Sequence, residues 1–188
     1  METIKLTKKD FDSNNEFIGK EEVLKHSGNL EIDNNLGYVH FRFLNISGYI
    51  FAQAGSGIEA GDGIKAGWGI EAGWGIEAGD GIEAGRGIEA GEGIEAGEGI
   101  KAGWGIKAGM FIKCKLLLNI NLRIFAGLCL WREPKEEELL IECGRLEKGT
   151  ICFGNLKEIG CLPKEEKEIT CDGKVVEIEG KKYKLNLI

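Results

Sequence analysis

The chain has 188 residues, a formal net charge of −7, 30 glycines and two prolines. This length allows one substantial hydrophobic core or two small ones. The negative charge argues against direct binding to nucleic acid, because neutralising phosphates requires clusters of Lys and Arg.

The N-terminal segment, residues 1–27, predicts a cap for the structure that follows. The stretch "TIKL" (3–6) predicts a short strand, and "KEEVLKH" (20–26) predicts a helix. We find no apolar core of a secretory signal and no run of about 18 apolar residues, which a membrane-spanning helix needs. Six cysteines without such a signal are typical of reduced thiols, so we expect a cytoplasmic protein without a membrane partner.

Residues 28–54 contain short segments in which the first and third residues are apolar. Leu30–Ile32, Leu44–Ile46 and Ile50–Ala52 have this pattern, with polar or glycine-containing stretches between them. Each predicts a very short strand that ends at a loose corner.

Residues 55–108 repeat the unit Gly-x-Gly-Ile-Glu/Lys-Ala, and Ile recurs every six residues from Ile58 to Ile112. Regular Ile and Ala exclude a flexible glycine-rich linker. Because six is an even number, each position of the unit points to the same side in every extended segment. Ile and Ala point inward, and Glu or Lys points outward. The Gly-x-Gly step forms a corner whose middle residue turns outward. One unit cannot bury its Ile alone, so the pattern predicts units stacked into a β-solenoid.

The stacking of outward residues favours three units per turn, or about 18 residues. Three units place Lys65, Glu83 and Lys101 in one stack of alternating sign. They also stack Trp68, Arg86 and Trp104, which allows a cation–π sandwich. The same arrangement stacks like charges at Asp62, Asp80 and Glu98 and at Glu59, Glu77 and Glu95. Two units per turn stay open as the alternative, although they place four glutamates in one acidic ladder.

The sixfold spacing continues past the glycines to Leu130, so the predicted solenoid spans residues 28–131. Residues 132–188 begin with a charged connector and then show short apolar runs such as "LLIEC" (139–143) and "TICF" (150–153). Gly180 lies between two such runs and predicts a terminal hairpin. We expect a small β-rich C-terminal domain, or a second, less regular solenoid segment packed on the first.

The repeat resembles bacterial hexapeptide-type β-solenoids built from Gly-x-Gly-Ile-x-Ala units, over about half of the chain. The resemblance implies an all-β, single-stranded, triangular solenoid. The best-known relatives are β-helix acyltransferases, which need a catalytic histidine near a subunit boundary. The chain has only His26 and His40, and His40 alternates with aromatic residues in "YVHFRF", so we expect it to be an outward strand residue.

We expect neither a catalytic site nor a metal or cofactor. Cys143, Cys152, Cys161 and Cys171 are spaced 9, 9 and 10 residues apart, without the close Cys pairs of zinc sites. We expect them to be small buried residues at strand ends. The Gly-x-Gly steps lack the strand and helix of a nucleotide-binding loop, and a phosphate-loop motif is absent.

The candidate partner-binding residues are aromatic, basic and acidic side chains of the repeat. Tryptophans at the outward corner positions are typical of interface anchors, above all beside arginine. Regularly spaced glutamates provide the acidic surface. The predicted set is Trp68, Trp74, Trp104, Arg86, Glu77, Glu83, Glu89 and Glu95.

The acidic repeat predicts a non-catalytic protein-interaction module. Residues 55–108 have ten acids and four bases, a net charge of −6. A rigid rod of this charge suits a basic groove made for nucleic acid, so we expect an inhibitor of a nucleic-acid-binding effector, of the phage anti-defence or anti-CRISPR type. In mechanism this is similar to pentapeptide-repeat DNA mimics. The alternatives are a self-assembling cytoskeletal solenoid and a degenerate hexapeptide acyltransferase.

Overall fold

The structure is a computed structural model that describes residues 1–129, 131–160, 175–178 and 181–184. It is an all-β solenoid in which three parallel strand positions repeat along the coil. The strands of the regular coils are three residues long, because each hexapeptide uses its other three residues for a glycine-containing corner.

The elements follow in chain order. The first segment contains β1 (Thr3–Leu6), a 3-10 turn (Lys8–Asp10) and α1 (Glu21–Leu24). The less regular coils contain β2 (Asn29–Ile32), β3 (Gly37–Phe41), β4 (Leu44–Ile46), β5 (Ile50–Ala52) and β6 (Ser56–Ala60). The regular coils contain β7 (Ile64–Ala66), β8 (Ile70–Ala72), β9 (Ile76–Ala78), β10 (Ile82–Ala84), β11 (Ile88–Ala90), β12 (Ile94–Ala96), β13 (Ile100–Ala102), β14 (Ile106–Ala108) and β15 (Ile112–Cys114). The last segment contains β16 (Leu117–Phe125), a 3-10 turn (Glu136–Leu139), β17 (Leu140–Cys143), β18 (Arg145–Phe153), β19 (Asn155–Glu158), β20 (Val175–Ile178) and β21 (Lys181–Lys184).

Every third strand pairs in parallel, which divides the solenoid into three faces. Face 1 contains β1, β2, β5, β8, β11 and β14, and face 2 contains β4, β7, β10 and β13. Face 3 contains β3, β6, β9, β12, β15, β17 and β19. The long strands β16 and β18 span faces 2 and 1, because their first halves continue face 2 and their second halves continue face 1.

The register confirms three hexapeptides per turn. Ile82 lies opposite Ile64 on one side and Ile100 on the other, so neighbouring coils are eighteen residues apart. Glu83 accordingly lies between Lys65 and Lys101. The alternative of two units per turn is excluded by this register.

The core is a stack of inward Ile and Ala side chains, as the even period predicts. Ile82 and Ala84 are 1% and 2% exposed, while Glu83 between them lies on the surface. The same alternation holds along β7 to β14. Burial of these apolar rows is the main source of stability, because a coil has almost no core of its own.

Residues 1–27 pack on the first coil and also extend the solenoid. Strand β1 pairs in parallel with β2, so the first strand belongs to face 1. Between these two strands, Phe11 and Phe17 form an aromatic cluster with Phe41, with ring centroids 5.6–6.0 Å apart. Leu24 of the predicted helix is buried in the same core. The predicted start of the solenoid at residue 28 is therefore wrong by one strand.

The predicted end of the solenoid at residue 131 is also wrong. Strands β17, β18 and β19 pair in parallel with β15, β16 and β17. Residues 140–158 are therefore the less regular solenoid segment that the sequence analysis left open as the alternative to a separate β-rich domain. Their inward positions are spaced by five residues instead of six, at Ile141, Leu146, Ile151 and Leu156. The altered spacing conceals the continuation from an analysis based on the hexapeptide.

The remaining C-terminal predictions have mixed outcomes. The predicted hairpin is confirmed by the antiparallel pairing of β20 with β21. Cys143 ends β17 and is buried, as expected, but Cys152 is exposed within β18. Cys161 and Cys171 lie outside the described residues.

Candidate partner-binding surfaces

The corner between faces 2 and 1 contains the predicted cation–π sandwich. The guanidinium carbon of Arg86 lies 4.7 Å from the ring centroid of Trp68 and 5.2 Å from that of Trp104. Backbone hydrogen bonds join these corner residues from coil to coil, which holds the three side chains in register. Trp68 and Trp104 are 43% and 56% exposed, so they remain available to a partner although each has one contact with Arg86.

Trp74 lies on a different corner, between faces 1 and 3. Its ring centroid is 5.7 Å from that of Tyr38, and the Tyr38 hydroxyl donates a hydrogen bond to Glu92. The structure therefore does not bring Trp74 together with Trp68 and Trp104. A partner that contacts one of these corners leaves the other free, because the corners belong to different edges of the triangle.

The four predicted glutamates do not form one surface. Glu77 and Glu95 lie in register on face 3, but Glu83 lies on face 2 and Glu89 on face 1. Glu83 pairs with Lys65 at 3.2 Å and with Lys101 at 3.3 Å. Glu89 pairs with Lys107. These two glutamates are locally neutralised and contribute little to an acidic surface.

The largest concentration of negative charge is an acidic edge formed by two parallel rows. One row is the outward side of face 3, and the other is the adjoining corner between faces 3 and 2. Backbone hydrogen bonds from Asp80 to Asp62 and from Glu98 to Asp80 place the corner acids in successive coils. The acidic edge consists of Glu59, Glu77, Glu95, Asp62, Asp80 and Glu98.

Four residues of the acidic edge are absent from the predicted site, namely Glu59, Asp62, Asp80 and Glu98. These residues can be identified from the sequence by grouping acids that are eighteen residues apart, because such residues lie on the same face or corner in successive coils. His40 and Arg42 flank the edge at one end, where they pair with Glu59 and Asp62 at 3.1 and 3.8 Å. Lys113 lies in register with Glu95 at the other end.

The neighbours of Glu77 and Glu83 shift their pKa values in opposite directions. Partial burial raises the pKa of Glu77, and the charges of Glu59 and Glu95 raise it further. Burial also acts to raise the pKa of Glu83, but hydrogen bonds from Lys65 and Lys101 outweigh it, so the pKa is lowered. Glutamates at the same position of the repeat therefore have opposite surroundings: Glu77 is stacked with like charges on face 3, and Glu83 is stacked with lysines on face 2.

The residues considered for catalysis and metal binding are placed as follows. His40 is an outward residue of β3, as expected, and its Nδ1 lies 3.1 Å from Glu59. Among the described residues, His, Cys, Asp and Glu side chains do not cluster in groups of three or more that could hold a metal ion. No helix in the described part of the chain is long and apolar enough to cross a membrane.

Comparison of the chain with protein-family models, with curated proteins and with solved structures found no match. Functional inference therefore rests on the charge and shape of these surfaces.

Proposed function

We propose that this protein is a non-catalytic inhibitor whose acidic edge occupies the basic, nucleic-acid-binding groove of a protein effector in the cytoplasm. The supporting observation is the acidic edge itself, in which six carboxylates lie in two in-register rows. A surface of this kind attracts basic grooves and repels nucleic acid.

The charge density of the acidic edge supports this proposal. Coils are about 4.8 Å apart, so two carboxylates per coil give one negative charge per ~2.4 Å of axis. Duplex DNA has one per about 1.7 Å. Glu59 and Asp62 are partly compensated by His40 and Arg42. In the next two coils, where no ion pair to the edge carboxylates is found among the described residues, the edge reaches roughly 70% of the linear charge density of a duplex, over the length of about three base pairs.

Rigidity also supports the proposal. Each carboxylate of the face 3 row belongs to a strand that is paired on both sides, so the row is held in place before binding. A preorganised charged surface loses little conformational entropy on association. Faces 1 and 2 have mixed charges and are less suited to a basic groove.

The test compares two variants with the same charge change. The acidic-edge variant has Glu77→Gln, Asp80→Asn and Glu95→Gln, and the control has Glu83→Gln, Glu136→Gln and Glu137→Gln, which lie outside the acidic edge. Both variants and the wild type are immobilised to capture proteins from the native host, and bound proteins are identified by mass spectrometry. Duplex and single-stranded DNA are then added as competitors.

We expect the wild type and the control to retain a nucleic-acid-binding protein that added nucleic acid displaces, whereas the acidic-edge variant loses it. Binding should weaken steeply with salt, because screening reduces attraction between exposed charges. Retention of the same protein by the acidic-edge variant, or failure of nucleic acid to displace it, contradicts the proposal.

A second candidate function is self-assembly, which the last coil favours. Phe153, Leu156 and Ile159 are 44%, 42% and 49% exposed beside β19, the last strand of face 3 within the described residues. Edge strands with apolar side chains are templates for pairing with another chain. Sedimentation velocity over a range of concentrations tests this candidate, and Leu156→Lys should abolish any assembly that uses this edge.

A further inference from the structure

The residue that precedes each inward Ile decides whether a face is smooth or grooved. In the regular coils this residue is the second glycine of Gly-x-Gly, which has no side chain to cover the strands. At the two ends of each glycine row the same position holds a large residue. These residues are Tyr49 and Arg123 on face 1, Phe43 and Leu117 on face 2, and Tyr38 and Phe111 on face 3.

On face 3 the glycine row is covered by the protein's own aromatic rings. A Cβ at Gly57 or Gly75 would contact Tyr38, and a Cβ at Gly93 would meet the Phe111 ring at 2.6 Å. All three glycines are buried as a result. The glycine rows are therefore shaped to receive an aromatic ring laid along the solenoid axis.

On face 1 the equivalent row is open, and it forms what we call the face 1 trough: Gly69, Gly87 and Gly105, with Tyr49 and Arg123 at its ends. The three glycines are only half-buried. Tyr49 does not cover them, because its hydroxyl donates a 2.6 Å hydrogen bond to Glu31 in the preceding coil. The trough has a volume of about 610 Å³, and Phe51 and Phe125 also line it.

We infer that the face 1 trough binds an aromatic side chain of a protein partner, laid over Gly69 and Gly87 as Tyr38 is laid over Gly57 and Gly75. The exposed sandwich of Trp68, Arg86 and Trp104 directly precedes the trough glycines in the chain. Exposed aromatic residues beside an apolar trough are typical of a protein-binding surface.

The charges along the trough define the partner further: Glu71, Glu89 and Lys107 line its middle, where Lys107 pairs with Glu89. Arg123 is exposed at one end, and within the described residues no carboxylate forms an ion pair with it. An acidic residue of the partner therefore complements this end. Two coils separate Gly87 from Arg123, a distance of about 10 Å, which an extended segment spans in about three residues. The structure thus favours a segment of the form Tyr-x-x-Asp.

This surface lies on the opposite side of the triangular coil from the acidic edge, so the inference does not depend on the proposed function. The two surfaces share no residue.

The test is an NMR titration of the full chain with acetyl-Tyr-Gly-Gly-Asp-amide. We expect millimolar affinity, with shifts confined to the amides of Gly69, Gly87, Gly105 and their neighbours. Acetyl-Ala-Gly-Gly-Asp-amide should not produce these shifts. Replacing Asp by Asn in the peptide should weaken binding to the wild type but not to the Arg123→Gln variant.

Two glycine variants locate the site. Gly87→Ala adds a methyl group to the trough floor, where the nearest atom to the new Cβ is the Gly105 carbonyl oxygen at an ordinary 3.4 Å. It should fold and weaken the peptide at least about fivefold. Gly81→Ala adds a methyl group to face 2, where the Gly99 carbonyl oxygen is closer to the new Cβ, at 3.1 Å, and it should leave peptide binding unchanged. The absence of saturable shifts, shifts on another face, or wild-type affinity of Gly87→Ala overturns the inference. Self-association in sedimentation velocity that Gly87→Ala abolishes would also overturn it, because a second copy of the chain would then occupy the trough.

Discussion

The hydroxyl of Tyr38 donates a hydrogen bond of 3.1 Å to Oε2 of Glu92, which lies 54 residues later in the chain. Burial raises the pKa of Tyr38, and the nearby charges of Glu92 and Glu77 raise it further, so the hydroxyl stays protonated. Since the ring also covers Gly57 and Gly75, one side chain connects to the three coils that follow its own.

Substitution of Tyr38 should separate its hydrogen bond from its packing. Tyr38→Phe removes only the hydroxyl and should lower the free energy of unfolding by about 1 kcal/mol. Tyr38→Ala also uncovers the glycines and should cost ~2–3 kcal/mol, below the range for a fully buried aromatic residue because the ring is partly exposed. Urea denaturation measures both values. Equal losses would show that the ring contributes nothing beyond its hydroxyl.

Because neighbouring residues of the repeat point in opposite directions, substitutions at an inward and an outward position should destabilise the protein by different amounts. Ile82→Ala leaves a cavity in the middle of the stack and should cost ~2–4 kcal/mol. Glu83→Ala removes an exposed side chain with two ion pairs and should cost less than about 1 kcal/mol. Differential scanning calorimetry compares the two melting temperatures. A similar decrease in both variants would contradict the assignment of inward and outward residues.

Neutralising Glu77 should stabilise the protein at neutral pH. Its pKa is raised in the folded state, so its stabilising contribution exists below the unfolded pKa and is lost as pH rises through the folded pKa. Glu77→Gln removes the charge that Glu59 and Glu95 repel. We expect a gain of less than about 1 kcal/mol in the free energy of unfolding at pH 7, which disappears in acid.

Neutralising Glu83 should have the opposite effect and provides the matched control. Its pKa is lowered in the folded state, so its contribution exists above the unfolded pKa and is lost as pH falls through the folded pKa. Glu83→Gln should destabilise the protein at neutral pH by less than about 1 kcal/mol. Denaturation across a pH series measures the free energy of unfolding of both variants. Changes of the same sign at pH 7 would contradict the opposite surroundings of Glu77 and Glu83.

The two glycines of each corner should differ in their tolerance of alanine. A Cβ at Gly85 would collide with the carbonyl oxygen of Gly67 in the preceding coil, whereas a Cβ at Gly87 makes only ordinary contact. Gly85→Ala should therefore cost at least about 2 kcal/mol, and Gly87→Ala less than ~1 kcal/mol. Thermal melts followed by circular dichroism measure the difference, and equal tolerance would disprove the close approach of the coils at the first glycine.

Much of the fold follows from the sequence because a β-solenoid is built from local repetition. The even period of the hexapeptide determines which side chains are buried, and the charge pattern of Lys65, Glu83 and Lys101 identifies the number of units per turn. The sandwich around Arg86 follows from the same spacing. Each of these features depends on residues six or eighteen apart, which are visible in the chain.

The grouping of the candidate acidic residues could not be predicted from their order in the chain. The glutamates at 77, 83, 89 and 95 are equivalent in the repeat, but successive units turn to different faces. Glutamates six residues apart therefore lie far from one another in space. The acidic edge is recognised only when acids eighteen residues apart are grouped together.

The sequence by itself determined the strand, the corner and the eighteen-residue coil, because a short even period leaves the backbone few other ways to bury its isoleucines. Only the tertiary structure decided where the coil ends and which glycine rows stay open. Residues 140–158 continue the solenoid with a five-residue spacing, since inward side chains need only meet the coil before them. Tyr38 covers face 3, whereas Tyr49 turns to Glu31 and leaves face 1 uncovered. Both tyrosines occupy the same position in the repeat, so their directions depend on contacts with neighbouring coils and not on local sequence.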